Sequence, residues 1–253
     1  MSFSSQNLLS FNVSKKDKKT DLKLNAISKS KSDVIFICDI RLNSTRQTYA
    51  IHDIEKKIKF KGYDLFFNSK GSNRGVGILI SSKLDYEIHN KLTDFDDNYI
   101  LLDITIAKKR CIIGSIYGPN TNNSDFYEDL STDLNMFDPM YPVIIGGDWN
   151  ATYDNSDAQY NPDVINMVNI PSRLRSNKLL NLCNNHNLCD AYRTLHPLKT
   201  EFSYVPNIQM NNNRSRLDFF LVSKNLIKFI NSCSIDHSTL NTFFDHKLSL
   251  IHI

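Results

Sequence analysis

Val143-Ile144-Ile145 is a β-branched run that ends in Gly146-Gly147 and then delivers Asp148 and Asn150 two positions apart. On an extended backbone residues i and i+2 leave on the same face, so the spacing predicts a carboxylate and a carboxamide pointing together out of a strand end. The glycines predict a turn that a substrate backbone can approach closely. A buried strand capped by an Asx-turn has the same pattern. The stretch acquires chemical meaning only if other segments bring a base, an orienting acid and a metal carboxylate to it.

Apolar runs along the chain supply the frame. Residues 8–13 and 34–38 predict two short strands around a helix at 22–30, which places Asn12 and Asp39 at the ends of neighbouring strands. Residues 63–68, 75–81, 86–91, 99–107 and 110–117 predict a strand-rich stretch, with Asp103 and Thr105 marking one solvated face. A helix is expected over 125–137 and an amphipathic one over 173–186, packed on Leu174, Leu179, Leu182 and Cys183. Residues 155–169 are polar and read as a long loop over the active face. Residues 203–205 and 216–222 predict strands around an Asn-rich hairpin, 226–230 a short helix, and 247–253 the last strand.

With 253 residues and neither an internal repeat nor a linker, residues 1–253 read as one domain with ample apolar content for a core. The net charge of +3 permits nucleic acid as a partner without arguing for it. Five cysteines with no C-x-x-C pair speak against a disulfide framework and a zinc knuckle and for a reducing compartment. No apolar stretch approaches a membrane span and the N-terminus lacks a signal-peptide core. A nuclear or cytoplasmic location is expected.

Polar residues gather where strands are predicted to end: Asn12, Asp39, Tyr117, Asp148, Asn150, Asp218 and the pair Asp245-His246. Each has an ordinary explanation as a turn, cap or rim residue. Asp218 is the hardest to dismiss, because a carboxylate between Leu217 and Phe219 needs a partner. Together they fit phosphodiester hydrolysis, which needs a positioned water, a group to direct its proton, and positive charge on the phosphoryl oxygens. Carboxylates without a Cys or His ligand cluster suit a hard ion such as Mg²⁺, with Mn²⁺ as a substitute. A carboxylate behind a histidine orients the ring and holds it as imidazolium.

Asn12, Asp39, Asp148-Trp149-Asn150, Arg216-Leu217-Asp218 and Asp245-His246 stand in an order that resembles the endonuclease/exonuclease/phosphatase superfamily, of DNase-I-like fold, over nearly the whole chain. Within it, Asp190-Ala191-Tyr192-Arg193, Phe202-Ser203-Tyr204 and Ser215-Arg216-Leu217-Asp218 are most similar to the apurinic-type endonuclease domains of non-LTR (LINE-type) retrotransposons. Val76-Gly77-Ile78-Leu79-Ile80-Ser81 and Ile116-Tyr117-Gly118-Pro119-Asn120 are similar too.

The resemblance implies an α/β fold: a four-layer sandwich of two mostly antiparallel sheets packed face to face between helices. It implies a Mg²⁺-dependent enzyme that nicks one strand of duplex DNA, leaving a 3′-hydroxyl to prime reverse transcription. It further implies a probable monomer excised from a longer polyprotein, with a reverse transcriptase domain in cis. Asp148 would direct the attacking water with Asn150 fixing it, Asp218 would orient His246 on the scissile phosphate, and Tyr117 would bond the phosphate or leaving oxygen. Asn12, Asp39 and Asp245 would serve the metal. Ser203 and Ser215 would touch the DNA backbone, while Asn211, Asn212, Asn213 and Arg214 would lie against the DNA beside the cut. One departure stands out: the family usually places Glu at the metal position where this chain has Asp39. The alternatives are a repair-type apurinic endonuclease or exonuclease, a phosphatase of inositol phosphates or lipids, and a catalytically weak DNA-binding relative. The phosphatase lacks any membrane-binding amphipathic stretch.

Overall fold

In the strand Val34–Cys38 (β2), side chains alternate between two cores rather than between core and water. Val34, Phe36 and Cys38 enter one apolar cluster, and Ile35 and Ile37 enter another. Phe220 and Val222 against Phe219 and Leu221 divide in the same way along Asp218–Ser223 (β12). Such runs read as continuous apolar sequence because both faces of their sheets are covered. The computed structural model describes residues 1–7, 22, 23, 25, 29, 31–42, 48–70, 74–122, 125–153, 161–165, 173–205, 214–236 and 246–253.

One sheet has the order β13 (Ser232–Asp236), β14 (Leu248–His252), β1 (Ser2–Asn7), β2, β4 (Val76–Ser81) and β3 (Tyr63–Asn68). The other runs β10 (Leu188–Asp190), β12, β8 (Val143–Asp148), β7 (Lys109–Tyr117), β6 (Tyr99–Ile106) and β5 (Tyr86–Thr93). Each sheet has one parallel pair, β1 with β2 and β7 with β8, and is otherwise antiparallel. A short ribbon joins β9 (Val164–Ile165) to β11 (Arg214–Ser215).

The sheets share a core in which Phe36 meets Phe220 at 6.0 Å between ring centroids. On the outer face of the first sheet, Ile54 and Ile58 of helix α1 (Thr48–Phe60) pack on Ile35, Ile37 and Leu79. On the outer face of the second, helices α2 (Phe126–Leu134) and α3 (Arg173–Asn185) cover Leu101, Ile145 and Leu221. This is the four-layer α/β sandwich. Helix α4 (Ala191–Leu195) and a 3₁₀ turn at Lys224–Phe229 complete the described elements.

Several expectations need correction. The first strand is Ser2–Asn7, which ends opposite Cys38, whereas residues 8–13 lie outside the described residues. Of the expected helix at 22–30, only Leu22, Lys23, Asn25 and Lys29 are described, all helical. Helix α1 went unforeseen, since Ile54 and Ile58 sit in a polar stretch. Leu174 is half exposed, and Ser176 takes a buried place on α3 instead. Asp103 marks no solvated face, because its carboxylate is buried under a two-bond fork from Arg110. The loop expected at 155–169 is described only at residues 161–165, where it forms β9.

Candidate active site

Strand register assembles the row of polar groups. Tyr117 lies opposite Asp148 in the parallel pair β7–β8, and Asp148 lies opposite Asp218 in the antiparallel pair β8–β12. Three residues far apart in sequence thus stand side by side at one end of a sheet. The other sheet contributes Asp39, just after β2, and His246, just before β14. Asp39, Asp148, Asp218 and His246 are all buried.

His246 Nδ1 lies 2.6 Å from Asp218 Oδ2, a hydrogen bond that fixes which imidazole nitrogen faces the site. The other nitrogen, Nε2, is 3.9 Å from Asp148 Oδ2. That gap is too long for a hydrogen bond and short enough for both groups to touch one oxygen between them. Tyr204 supports the ring from below at 4.9 Å and pairs with His246 through a backbone bridge. Ser203 accepts from the Leu217 and Asp218 amides at 2.9 Å each, and Ser249 donates to the Asp218 carbonyl at 2.9 Å. Asp218 is therefore braced from both neighbouring segments.

The turn after β8 departs from the simple extended picture. The strand ends at Asp148, and Asn150 has φ of 46°. Asn150 reaches the site through a left-handed turn, its N–H donating to Asp148 Oδ1 at 3.0 Å and its Nδ2 donating to the Gly118 carbonyl at 2.9 Å. Arg175 donates to the Pro119 carbonyl at 2.9 Å, so the loop after Tyr117 is held from two sides. The glycines serve packing and not substrate approach. A Cβ on Gly146 would lie 2.6 Å from Phe36 and 2.7 Å from Phe220, and one on Gly147 would lie 2.1 Å from the Ile116 carbonyl oxygen. Trp149 is fully buried, stacked on Phe219 at 5.6 Å.

Burial, then the charges of Asp39 and Asp148, push the Tyr117 hydroxyl well above its ordinary range, so it enters the site as a neutral donor. Burial also raises the Cys38 thiol, with Asp148, Asp218 and Asp39 acting in the same direction. These two residues register how closely the carboxylates converge. Asp148, Asp218 and His246 each offer a donor atom within 4.8 Å of the others, enough in principle to hold a cation. The 2.6 Å imidazole–carboxylate bond already uses Nδ1, so the His246–Asp218 pair is better suited to proton handling. Asp39 and Asp148 both act on Tyr117 and Cys38, and carboxylate oxygens suit a divalent ion. Asp218 Oδ1, buried and without a hydrogen-bond partner among the described residues, adds to the negative charge there.

Asn12, Asp245, Asn211, Asn212 and Asn213 lie outside the described residues. Ser203 is fully buried with its oxygen on two amides, and Ser215 is buried in a backbone ladder between Tyr204 and Val164. Arg214 is exposed.

Two sets of pairings were not foreseen from the sequence, although their arginines stood among its candidate phosphate contacts and motifs. Arg41 forks onto Asp39, Nε to Oδ1 at 2.7 Å and Nη2 to Oδ2 at 2.9 Å. Arg216 is fully buried, bonded to Asp163 at 2.8 and 2.6 Å and to Asp190 at 2.6 Å, while Arg193 also bonds Asp163. A charge beside the apolar strand Asp218–Ser223 was the available signal.

A sequence model of the endonuclease/exonuclease/phosphatase family matches residues 6–238. The transposon TX1 uncharacterized 149 kDa protein of Xenopus laevis is 25% identical over 208 residues, covering 80% of this chain and 15% of that protein. The chain thus spans about 15% of the length of that relative. Among solved structures, the 3′ phosphatase NExo from Neisseria bound to product DNA hairpin has a TM-score of 0.75 at 17% identity, covering 100% of this chain and 99% of that one. The endonuclease domain of TRAS1, a telomere-specific non-LTR retrotransposon, has a TM-score of 0.66 at 15% identity, covering 100% and 97%. At these identities the structural likeness speaks for the fold.

Proposed function

The chain belongs to the endonuclease/exonuclease/phosphatase family, and from that premise we propose that it is a metal-dependent endonuclease that nicks one strand of duplex DNA. The observation that carries this reading is the buried His246–Asp218 pair, with Asp148 3.9 Å from the other imidazole nitrogen. Asp148 accepts from the attacking water and turns its lone pair toward phosphorus. Asn150 holds the Asp148 turn and ties it to the Gly118 loop. His246, oriented by Asp218 through Nδ1, turns Nε2 toward a phosphoryl oxygen and favours the charge that develops there. Tyr117 donates its hydroxyl to the phosphate or leaving oxygen. Asp39 and Asp148 would hold Mg²⁺ or Mn²⁺, which when bound supplies positive charge to the phosphoryl and leaving oxygens.

The relation to a transposon protein and to a retrotransposon endonuclease fold supports a role in target-site nicking, with a reverse transcriptase in cis. The cut then leaves a 3′-hydroxyl able to prime synthesis. Supercoiled plasmid incubated with the protein and Mg²⁺ is expected to give nicked circles that a polymerase extends, and EDTA is expected to prevent this. Nicked ends that cannot be extended would overturn the priming role, and full activity in EDTA would overturn the metal.

Asp39 is one methylene shorter than Glu. Asp39→Glu is therefore expected to move the Mg²⁺ and Mn²⁺ dependence of nicking, because these ions hold oxygens at about 2.1 Å and tolerate little error. Superimposable metal titrations for the two proteins would place Asp39 away from the ion.

A further inference from the structure

Asp39 and Arg41 flank Ile40 in an unusual backbone. Both have left-handed φ, 56° and 52°, although neither is glycine. Non-glycine residues pay for that conformation and keep it where the surroundings enforce it. Here the enforcing contacts are visible: Ile40 N–H donates to the Gly75 carbonyl at 3.1 Å and Arg41 N–H to the Arg74 carbonyl at 2.7 Å. The result is that Arg41 folds back and places a planar two-bond fork on the Asp39 carboxylate, at 2.7 and 2.9 Å. The Asp39 side chain is 1% exposed, while the Arg41 side chain is 42% exposed. The guanidinium thus has one edge on a buried site carboxylate, while the Arg41 side chain is partly open to solvent.

This fork uses both oxygens that a divalent ion would use. An Arg–carboxylate fork is charge-assisted and geometrically specific, and a hard dication seeks the same negatively charged oxygens. The two cations therefore compete for one anion. Resting on the reading above, we propose that Arg41 is a tethered counter-cation that competes with the divalent ion for Asp39 and passes its fork to a DNA phosphate when the ion binds. A planar fork suits phosphate as well as carboxylate, and Arg41 is exposed enough to turn. Arg74, whose guanidinium lies 6.0 Å from the Tyr117 ring and whose side chain bonds Asn98, marks the same rim as basic. Metal binding and DNA binding become linked through one side chain, and such linkage is reciprocal.

The test measures Mn²⁺ binding directly, by calorimetry or by the spectrum of the free ion, in wild-type protein and in Arg41→Gln. Both are made in a His246→Ala background so that DNA stays intact. Without DNA, Arg41→Gln is expected to bind Mn²⁺ about 5-fold or more tightly than the Arg41 protein, the lower end of common coupling strengths. Adding a duplex is expected to tighten Mn²⁺ binding in the Arg41 protein and to do so less in Arg41→Gln. Equal or weaker Mn²⁺ binding by Arg41→Gln without DNA overturns the competition, and equal tightening by the duplex overturns the handover. Saturable binding in neither protein overturns the metal-dependent reading itself. Arg41→Gln removes the cation beside the buried Asp39 carboxylate, so that variant is expected to unfold at a somewhat lower temperature without metal, and both proteins are compared well below their unfolding transitions.

Discussion

Asp148→Ala and His246→Ala are each expected to lower the rate of plasmid nicking by about 10²–10⁴-fold, the usual effect of losing a positioned acid–base group. The two side chains face each other across 3.9 Å and address the same oxygen-sized space. They act as a unit, so the double variant is expected to be little worse than the poorer single one, as with other catalytic groups that cooperate. Asp218→Asn separates orientation from presence. It keeps the shape and removes the charge behind His246 Nδ1, 2.6 Å away. Its expected signature is a loss in kcat with DNA affinity retained, and a pH–rate profile altered on the limb where His246 must be protonated. Nicking at the wild-type rate by purified Asp148→Ala and His246→Ala would remove these residues from the chemistry.

The row of polar residues was legible in sequence because strand ends are legible. Residues 112–117 and 143–148 announce themselves as β-branched runs, and parallel pairing from Ile112 and Val143 brings Tyr117 level with Asp148. The same logic failed one residue further on. Extending the strand to Asn150 assumed that period two persists past Gly147, but the chain turns left-handed at Asn150. The bracing role of Ser203 was not legible, because its oxygen accepts from the Leu217 and Asp218 amides across a long separation in sequence. Arg41 was hidden because its role depends on two positive φ values, which side-chain type does not report. The Asp163–Asp190–Arg193–Arg216 group was least accessible. Its members come from three separate segments with no shared period, and a buried charge shows its partners only once the chain has folded.

That buried group makes the last prediction. Arg216 stands two residues before Asp218 and is fully enclosed, with the Tyr192 and Phe219 rings 5.2 and 5.0 Å from its guanidinium carbon. Burial by itself would lower its pKa, but Asp190 and Asp163 more than reverse this, and the side chain stays charged. Burial raises Asp190 in turn, while Arg216 opposes that rise. Arg216→Met removes the cation and leaves two carboxylates enclosed in the core with Arg193 alone to serve them. Breaking a buried ion pair from one side typically costs about 3–5 kcal/mol, against a total of about 5–15 kcal/mol for a whole domain. The variant is therefore expected to unfold at a much lower urea concentration with an unchanged slope. Arg216→Lys is expected to fall between the two, since one ammonium keeps the charge but cannot fork to two carboxylates. The Asp163 side of the group ties residues 161–165 to the start of β12, because the Arg216 amide also donates to the Asp163 carbonyl at 2.9 Å. Loss of Arg216 is thus expected to lower nicking even below the unfolding temperature, through a displaced Asp218. A destabilisation under about 1 kcal/mol, the range of an exposed pair, would show that the group is not what holds this edge of the site.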